Sequence, residues 1–319
     1  MAASPATIKP PRLVKGDTVG IIAPASPLPQ IEYLSRGIQF WQKLGYRVRT
    51  SSNIKQAGSY HGYLAANDAE RLADLQQMFC DPEIKALICL RGGYGSLRLL
   101  DSINYDLIRS HPKILVGYSD ITALHLALQR MTGLVTFHGP MIYPELGSNR
   151  VVPYTQASLL KSLTAAESIG KIEPLTELPA AFTITPGQAQ GKVTGGNLSL
   201  VVATLGTPYE IDTRDKILFL EEVGEAPYRL DRMLTQLALA GKLKTAAGIC
   251  FGHCTGCGDL EQENNFLNVI INHLAPLGLP CCYGLPAGHL AIQATLPLGL
   301  EAYLDADSCS LVYLEAATV

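Results

Sequence analysis

Short, continuously apolar runs alternate with amphipathic stretches through the first half of the chain, and the joints between them are only a few residues long. TVGIIAPAS (18–26) opens as a buried strand and ends in small residues and prolines. Ile31 to Leu44 carries helical periodicity, with Gly45 as its stop, and RVRT follows as a strand. Asn67 to Phe79 reads as a helix, and IKALICL (84–90) as a strand that runs into the turn RGGYGS. KILVGYSD (113–120) is another strand, continued at once by the helical ITALHLALQRM, and LVTFHGP (134–140) is a short strand ending in a loop. Strands with no polar face, separated by helices, are what a parallel sheet covered on both sides requires.

From about Val151 to Gly191 the pattern weakens into scattered Ser, Thr, Pro and Gly, with a polar helix near Ser158 to Ser168. A domain junction is expected here, dividing the chain into residues 1–165, a linker 166–190, and residues 191–319. The length of 319 residues agrees, since domains run to ~150 residues. Alternation resumes with VTGGNLSLVVATLG, the strand DKILFLEEV (215–223) and the helix PYRLDRMLTQLALAG closing on Gly241. AAGICFG is a strand, ENNFLNVIINHLAPLG a helix, and LPCCYGLPAGH a strand leading into a loop. The tail reads as a β-hairpin turning at Asp305 to Ser308.

Charge excludes one class of partner. Lys plus Arg number 25 against 28 Asp plus Glu, a net −3 that offers no electrostatic footprint for nucleic acid. No run approaches the ~18 apolar residues of a membrane span. Met1 to Pro11 lacks the basic start and apolar core of a signal peptide, so a cytoplasmic location is expected. There the eight cysteines would stay reduced.

Four constellations carry chemistry. In VGYSDI (116–121) a serine sits where an apolar strand stops and a helix begins, the ligand-binding end of a parallel sheet. It nearly matches the G-x-S-x-G nucleophile turn, with Ile121 in the last position. Ser119 is therefore a nucleophile, or with Asp120 a cap of the next helix. RGGYGS (91–96) also follows a strand; adjacent glycines expose backbone amides, as phosphate loops and oxyanion holes both need. No Gly-Lys-Ser/Thr follows, so it is not a Walker loop. In FLEEV (219–223), period two puts Ile217, Phe219 and Glu221 on one face and Leu218, Leu220 and Glu222 on the other. Either acid can orient a histidine, or pair with Arg229 or Arg232 on the following helix.

His289, in the Gly/Pro loop GLPAGHL, suits general-base work, with His138 and His253 as rivals at other strand ends. His125 and His273 lie inside helical patterns and are expected to pack or face solvent. Cys250, Cys254 and Cys257 have the C-x3-C-x2-C spacing of some iron–sulfur enzymes, and Cys281 and Cys282 could add zinc ligands. The triplet follows a late strand and Cys250 points inward, so free cysteines are expected, with no metal and no cofactor.

Taken together, GIIAPAS, RGGYG, GYSDIT, GGNLSL, ILFLEEVGEAPYRLDRML and LPAGH resemble the LD-carboxypeptidases that trim murein tetrapeptides, a serine peptidase family that includes the microcin C self-immunity peptidases. These motifs run from Gly20 to His289. The resemblance implies an α/β fold: an N-terminal parallel-sheet domain, flavodoxin-like or glutamine-amidotransferase-like, plus a smaller C-terminal α/β swivelling domain, in a homodimer. By position it implies Ser119 as nucleophile, Glu221 as acid and His289 as base, with the amides of Gly93 and Asp120 as oxyanion donors. The separations of 102 and 68 residues agree with the family's arrangement. The implied reaction hydrolyses the bond between meso-diaminopimelate and terminal D-alanine of a murein tetrapeptide in peptidoglycan recycling. Arg91 and Arg232 are candidates for the substrate carboxylate. The alternatives are a peptidyl-nucleotide substrate of the microcin C type and a non-catalytic module binding a small metabolite.

Overall fold

The computed structural model describes residues 5–55, 59–258 and 265–319. The first half builds β1 (Thr18–Ile22), α1 (Glu32–Lys43), β2 (Arg47–Thr50), α2 (Asp68–Cys80), β3 (Ile84–Cys89), α3 (Tyr105–Ser110), β4 (Ile114–Gly117), α4 (Thr122–Thr132) and β5 (Thr136–His138). Local chemistry explains the boundaries. Asn67 and Glu70 form a reciprocal capping box at the start of α2, and Gly133 ends α4 in the left-handed conformation. The five strands are parallel in the order β5-β4-β3-β1-β2. Alternate residues serve opposite faces: Val19, Ile21, Ala86, Ile88, Ile114 and Val116 enter one apolar cluster, while Ile22, Leu87, Cys89 and Leu115 enter another. Burial on both faces is why these runs show no polar alternation.

The second half adds α5 (Pro153–Thr164), β6 (Gly170–Ile172), β7 (Phe182–Thr185), β8 (Gln188–Asn197), α6 (Leu198–Ala203), β9 (Ile217–Val223), α7 (Pro227–Leu239), β10 (Gly248–Thr255), α8 (Asn265–Leu274), β11 (Cys281–Tyr283), β12 (Leu296–Leu298), β13 (Glu301–Asp305) and β14 (Ser310–Tyr313). Eight of these strands form a sheet ordered β6-β14-β13-β8-β9-β10-β11-β7. Its centre, β8 to β11, is parallel, and the C-terminal hairpin β13–β14 extends it on one side. Together the two sheets make an α/β fold with two sheet-bearing parts.

Three expectations need correcting. Residues 166–190 are not a bare linker, because β6 and β7 lie there and pair at opposite ends of the second sheet. These strands are only three or four residues long, too short to show a period. The polar helix begins earlier than Ser158, at Pro153, whose preset φ suits a first helical turn. β12 comes from the second half yet pairs antiparallel with β5 at the edge of the first sheet. The start of ENNFLNVIINHLAPLG, before Asn265, lies outside the described residues.

One core joins the two sheets. The cluster holding Val19, Ile88 and Val116 also contains Ile217, Phe219, Cys250 and Cys282 of the second sheet. The opposite face of that sheet, with Leu218, Leu220, Ile249 and Phe251, packs on α7 and α8. Among the described residues no helix is long and apolar enough to cross a membrane.

Candidate active site

Ser119 begins a single 3-10 turn between β4 and α4, after an extended Tyr118. Its φ of 61° lies in the left-handed region, uncommon for a residue with a side chain and a mark of functional sites. The turn is held from below: the buried His125 ring donates to the Gly117 carbonyl at 2.8 Å. Asp120 is buried, and its Oδ2 accepts from the Ser96 amide at 2.8 Å, tying the serine turn to the end of RGGYGS.

That glycine loop is in van der Waals contact with the serine. A Cβ on Gly92 would lie 2.8 Å from Ser119 Cβ, 3.0 Å from its Oγ and 3.3 Å from the Asp120 amide nitrogen. Gly93 adopts φ +99°, and a Cβ there would collide with the Ser26 side chain. Sequence reasoning named Gly93 and missed Gly92, whose signal was only adjacency in the same motif.

The second sheet delivers its groups to the same place through GGNLSL. Asn197, the register partner of Glu221, donates its amide to Thr122 Oγ1 at 3.0 Å, three residues beyond Ser119. Only glycine at 196 permits this approach, since a Cβ there would sit 2.6 Å from that hydroxyl. His289 then meets the acid: its Nδ1 lies 2.7 Å from Glu221 Oε2. Glu221 is wholly buried, which works to raise its pKa, but the adjacent imidazole draws it below the ordinary carboxylate value. Burial works to lower His289, and the Glu221 charge outweighs it and raises the ring above its ordinary value.

The two neighbouring acids of β9 meet different partners. Glu222 faces the other way and accepts from Asn197 Nδ2, the Ser199 amide and the Ser199 hydroxyl at 2.7–2.9 Å. Neither acid pairs with the helix arginines; Arg229 instead meets Glu225. Of the rival histidines, His138 is fully buried between Tyr118 and Phe219, and His253 packs on Tyr283. His273 bonds Asp231.

Ser119 and His289 line one cavity of about 330 Å³, together with Arg91, Gly92, Gly93, Tyr118, Tyr143, Glu145 and Arg150. That volume suits a small ligand. Arg91 is anchored by the Pro27 carbonyl at 3.1 Å and stacks over Tyr143. Arg232 is not among the lining residues; it lies on α7 against Tyr228, so its candidacy for substrate binding is withdrawn. Tyr143, Glu145 and Arg150 escaped sequence reasoning because their segment carries no glycine cluster and no strand-end acid. Cys250, Cys254 and Cys257 are buried, and no group of three or more His, Cys, Asp or Glu among the described residues has the geometry to hold a metal.

Comparison with known proteins finds relatives along most of the chain. Models of the LD-carboxypeptidase N-terminal domain and the LD-carboxypeptidase C-terminal domain match residues 19–139 and 190–304. The "probable murein peptide carboxypeptidase" of Bacillus subtilis (strain 168) is 45% identical over 301 residues, spanning 93% of this chain and 91% of that protein. Among solved structures, the microcin C7 self immunity protein MccF superimposes with a TM-score of 0.89 at 25% identity, covering 98% of this chain and 100% of that one. The muramoyltetrapeptide carboxypeptidase from Oxalobacter formigenes gives 0.80 at 29% identity, covering 94% and 98%.

Proposed function

The chain belongs to the LD-carboxypeptidase family and is a hydrolase of the serine type; from that premise we propose that Ser119, His289 and Glu221 cleave an amide bond beside a free carboxyl terminus. The reading as a non-catalytic binding module falls away with that membership. The observation that carries the proposal is the 2.7 Å contact between the buried Glu221 and His289, which lines the same cavity as Ser119.

With Nδ1 donating to Glu221, the Nε2 atom of His289 is left as a base. It takes the proton of Ser119 Oγ as that oxygen attacks the substrate carbonyl, and Glu221 stabilises the imidazolium. The amides of Gly93 and Asp120 receive the developing oxyanion; one such donor is worth about 3 kcal/mol in the transition state. Collapse breaks the C–N bond, the imidazolium protonates the leaving amine, and water then releases the acyl group from Ser119 by the reverse proton path. Arg91, held over Tyr143, is the partner for the terminal carboxylate, with the exposed Arg150 at the same cavity as a second cation.

Two substrates fit this chemistry. Similarity of shape favours the microcin immunity peptidases, at a TM-score of 0.89 against 0.80, and so supports a peptidyl nucleotide. The 45% identity to a murein peptide carboxypeptidase supports the murein tetrapeptide, cut between diaminopimelate and D-alanine. A nucleotide base needs an aromatic surface, and the one tryptophan, Trp41, is wholly buried. A tyrosine must serve instead. The order β2-β1-β3-β4-β5 favours the flavodoxin-like reading of the first domain.

The test is turnover of murein tetrapeptide and of a peptidyl nucleotide, side by side, by the native chain and by Ser119→Ala. Faster hydrolysis of one identifies the substrate class. Undiminished hydrolysis of either by Ser119→Ala would sink the mechanism.

A further inference from the structure

Tyr118, directly before the serine, is 2% exposed, and its ring meets the His289 ring edge-on at 4.8 Å and 72°. Its hydroxyl donates to Glu145 Oε1 at 2.6 Å. The other oxygen of Glu145 accepts from the Met141 amide at 3.2 Å. Both carboxylate oxygens are thus engaged within the chain, although Glu145 lies on the cavity wall. A single hydrogen bond to Glu221 leaves the imidazole free to swing about the Nδ1···Oε2 line, and an edge-to-face ring removes that freedom.

We propose that Tyr118 and Glu145 are positioning residues for His289: the tyrosine ring sets the imidazole plane and the carboxylate holds the tyrosine. The inference rests on the reading of His289 as the general base. Several charged or titratable groups surround Glu145. Tyr118 comes from the end of β4 and His289 from the loop after β11. Arg91 stacks on the neighbouring Tyr143, and Tyr33 and Arg36 of α1 pack at the edges of the segment. Glu221 and His138 stand behind the two rings. Burial pushes Glu145 up to about 7, against the opposing effect of the Tyr118 hydrogen bond. Near neutrality the carboxylate therefore gains its charge, and that charge favours the protonated form of His289.

The experiment follows the 15N-labelled His289 ring by NMR titration and the pH profile of kcat/KM, in the native chain, Glu145→Gln and Tyr118→Phe. Glu145→Gln should lower the His289 midpoint and move the acid limb of activity to lower pH. It should cut kcat roughly tenfold or more with KM little changed. Tyr118→Phe keeps the ring contact but loses the tether, so a smaller fall in kcat is expected. If Glu145→Gln fails to fold, Tyr118→Phe decides alone. A His289 midpoint and kcat that match the native chain in the folded variants would overturn the proposal. Failure of the underlying reading looks different: His289→Ala would keep its turnover, and the native acid limb would not follow the His289 titration.

Discussion

Glu221 and Glu222 are neighbours at the end of β9, both almost fully buried, yet the two faces of the sheet give them opposite surroundings. Glu221 follows Ile217 and Phe219 into the core shared with the first sheet, and there it meets one imidazole. Glu222 follows Leu218 and Leu220 toward α6 and α7, where the Asn197 side chain and Ser199 supply neutral donors. The consequence appears in their proton affinities. The imidazole draws Glu221 below the ordinary value, whereas burial leaves Glu222 above it despite its hydrogen bonds. What faces a buried carboxylate, and not its burial alone, thus decides how tightly it holds its proton.

The contrast breaks most visibly at the groups on the Glu221 face. Ser119→Ala and His289→Ala should each lower kcat by up to about 10⁶-fold, while thermal unfolding stays near that of the native chain. Glu221→Gln should cost about 10⁴-fold in kcat, because a neutral amide no longer holds the imidazole tautomer or its charge. Steady-state kinetics with circular dichroism checks both; a native kcat in Glu221→Gln would erase the distinction between the acids. Gly92→Ala should lower kcat by about a hundredfold, since the methyl must displace Ser119. A KM effect without a kcat effect would put the loop in binding instead.

On the other face, Glu222→Ala should leave kcat within a few-fold and lower stability by about 2 kcal/mol. The Asn197 and Ser199 donors would lose their acceptor in a buried site. Denaturant unfolding measures this, and unchanged stability would refute the structural assignment. The smallest effect is a pH dependence. His289 holds its proton more tightly folded than at its ordinary 6.5, so that contribution is complete below 6.5 and is lost as pH rises through the folded value. Glu221 is shifted below 4.5, so its contribution is present above 4.5 and is lost as pH falls through the folded value. Both dependences should flatten in Glu221→Gln when unfolding free energy is followed against pH.

Much of the candidate site can be read as strand-end positions without coordinates. Ser119, Gly93, Glu221 and His289 all stand at strand ends or in loops after strands, and the first sheet's parallel strands followed from apolar runs without a polar face. What stayed hidden had no periodic signal. β6 and β7 are too short to display one, β12 returns to the first sheet from far along the chain, and Glu145 sits in an irregular segment. Arg232 looked as good a cation as Arg91 because sequence distance says nothing about which helix face borders the cavity.

Parity along β9 is a property of the sequence alone: a pleated strand sends adjacent side chains to opposite sides, so Glu221 had to share its face with Phe219. Which face would meet Ser119 was decided only when the two sheets packed. The apolar side chains of Ile217 and Phe219 are buried against the first sheet, and the glycine at 196 lets Asn197 close on Thr122. Long-range packing, which no local pattern encodes, carried one of two equivalent acids to the histidine and left the other to hold the fold.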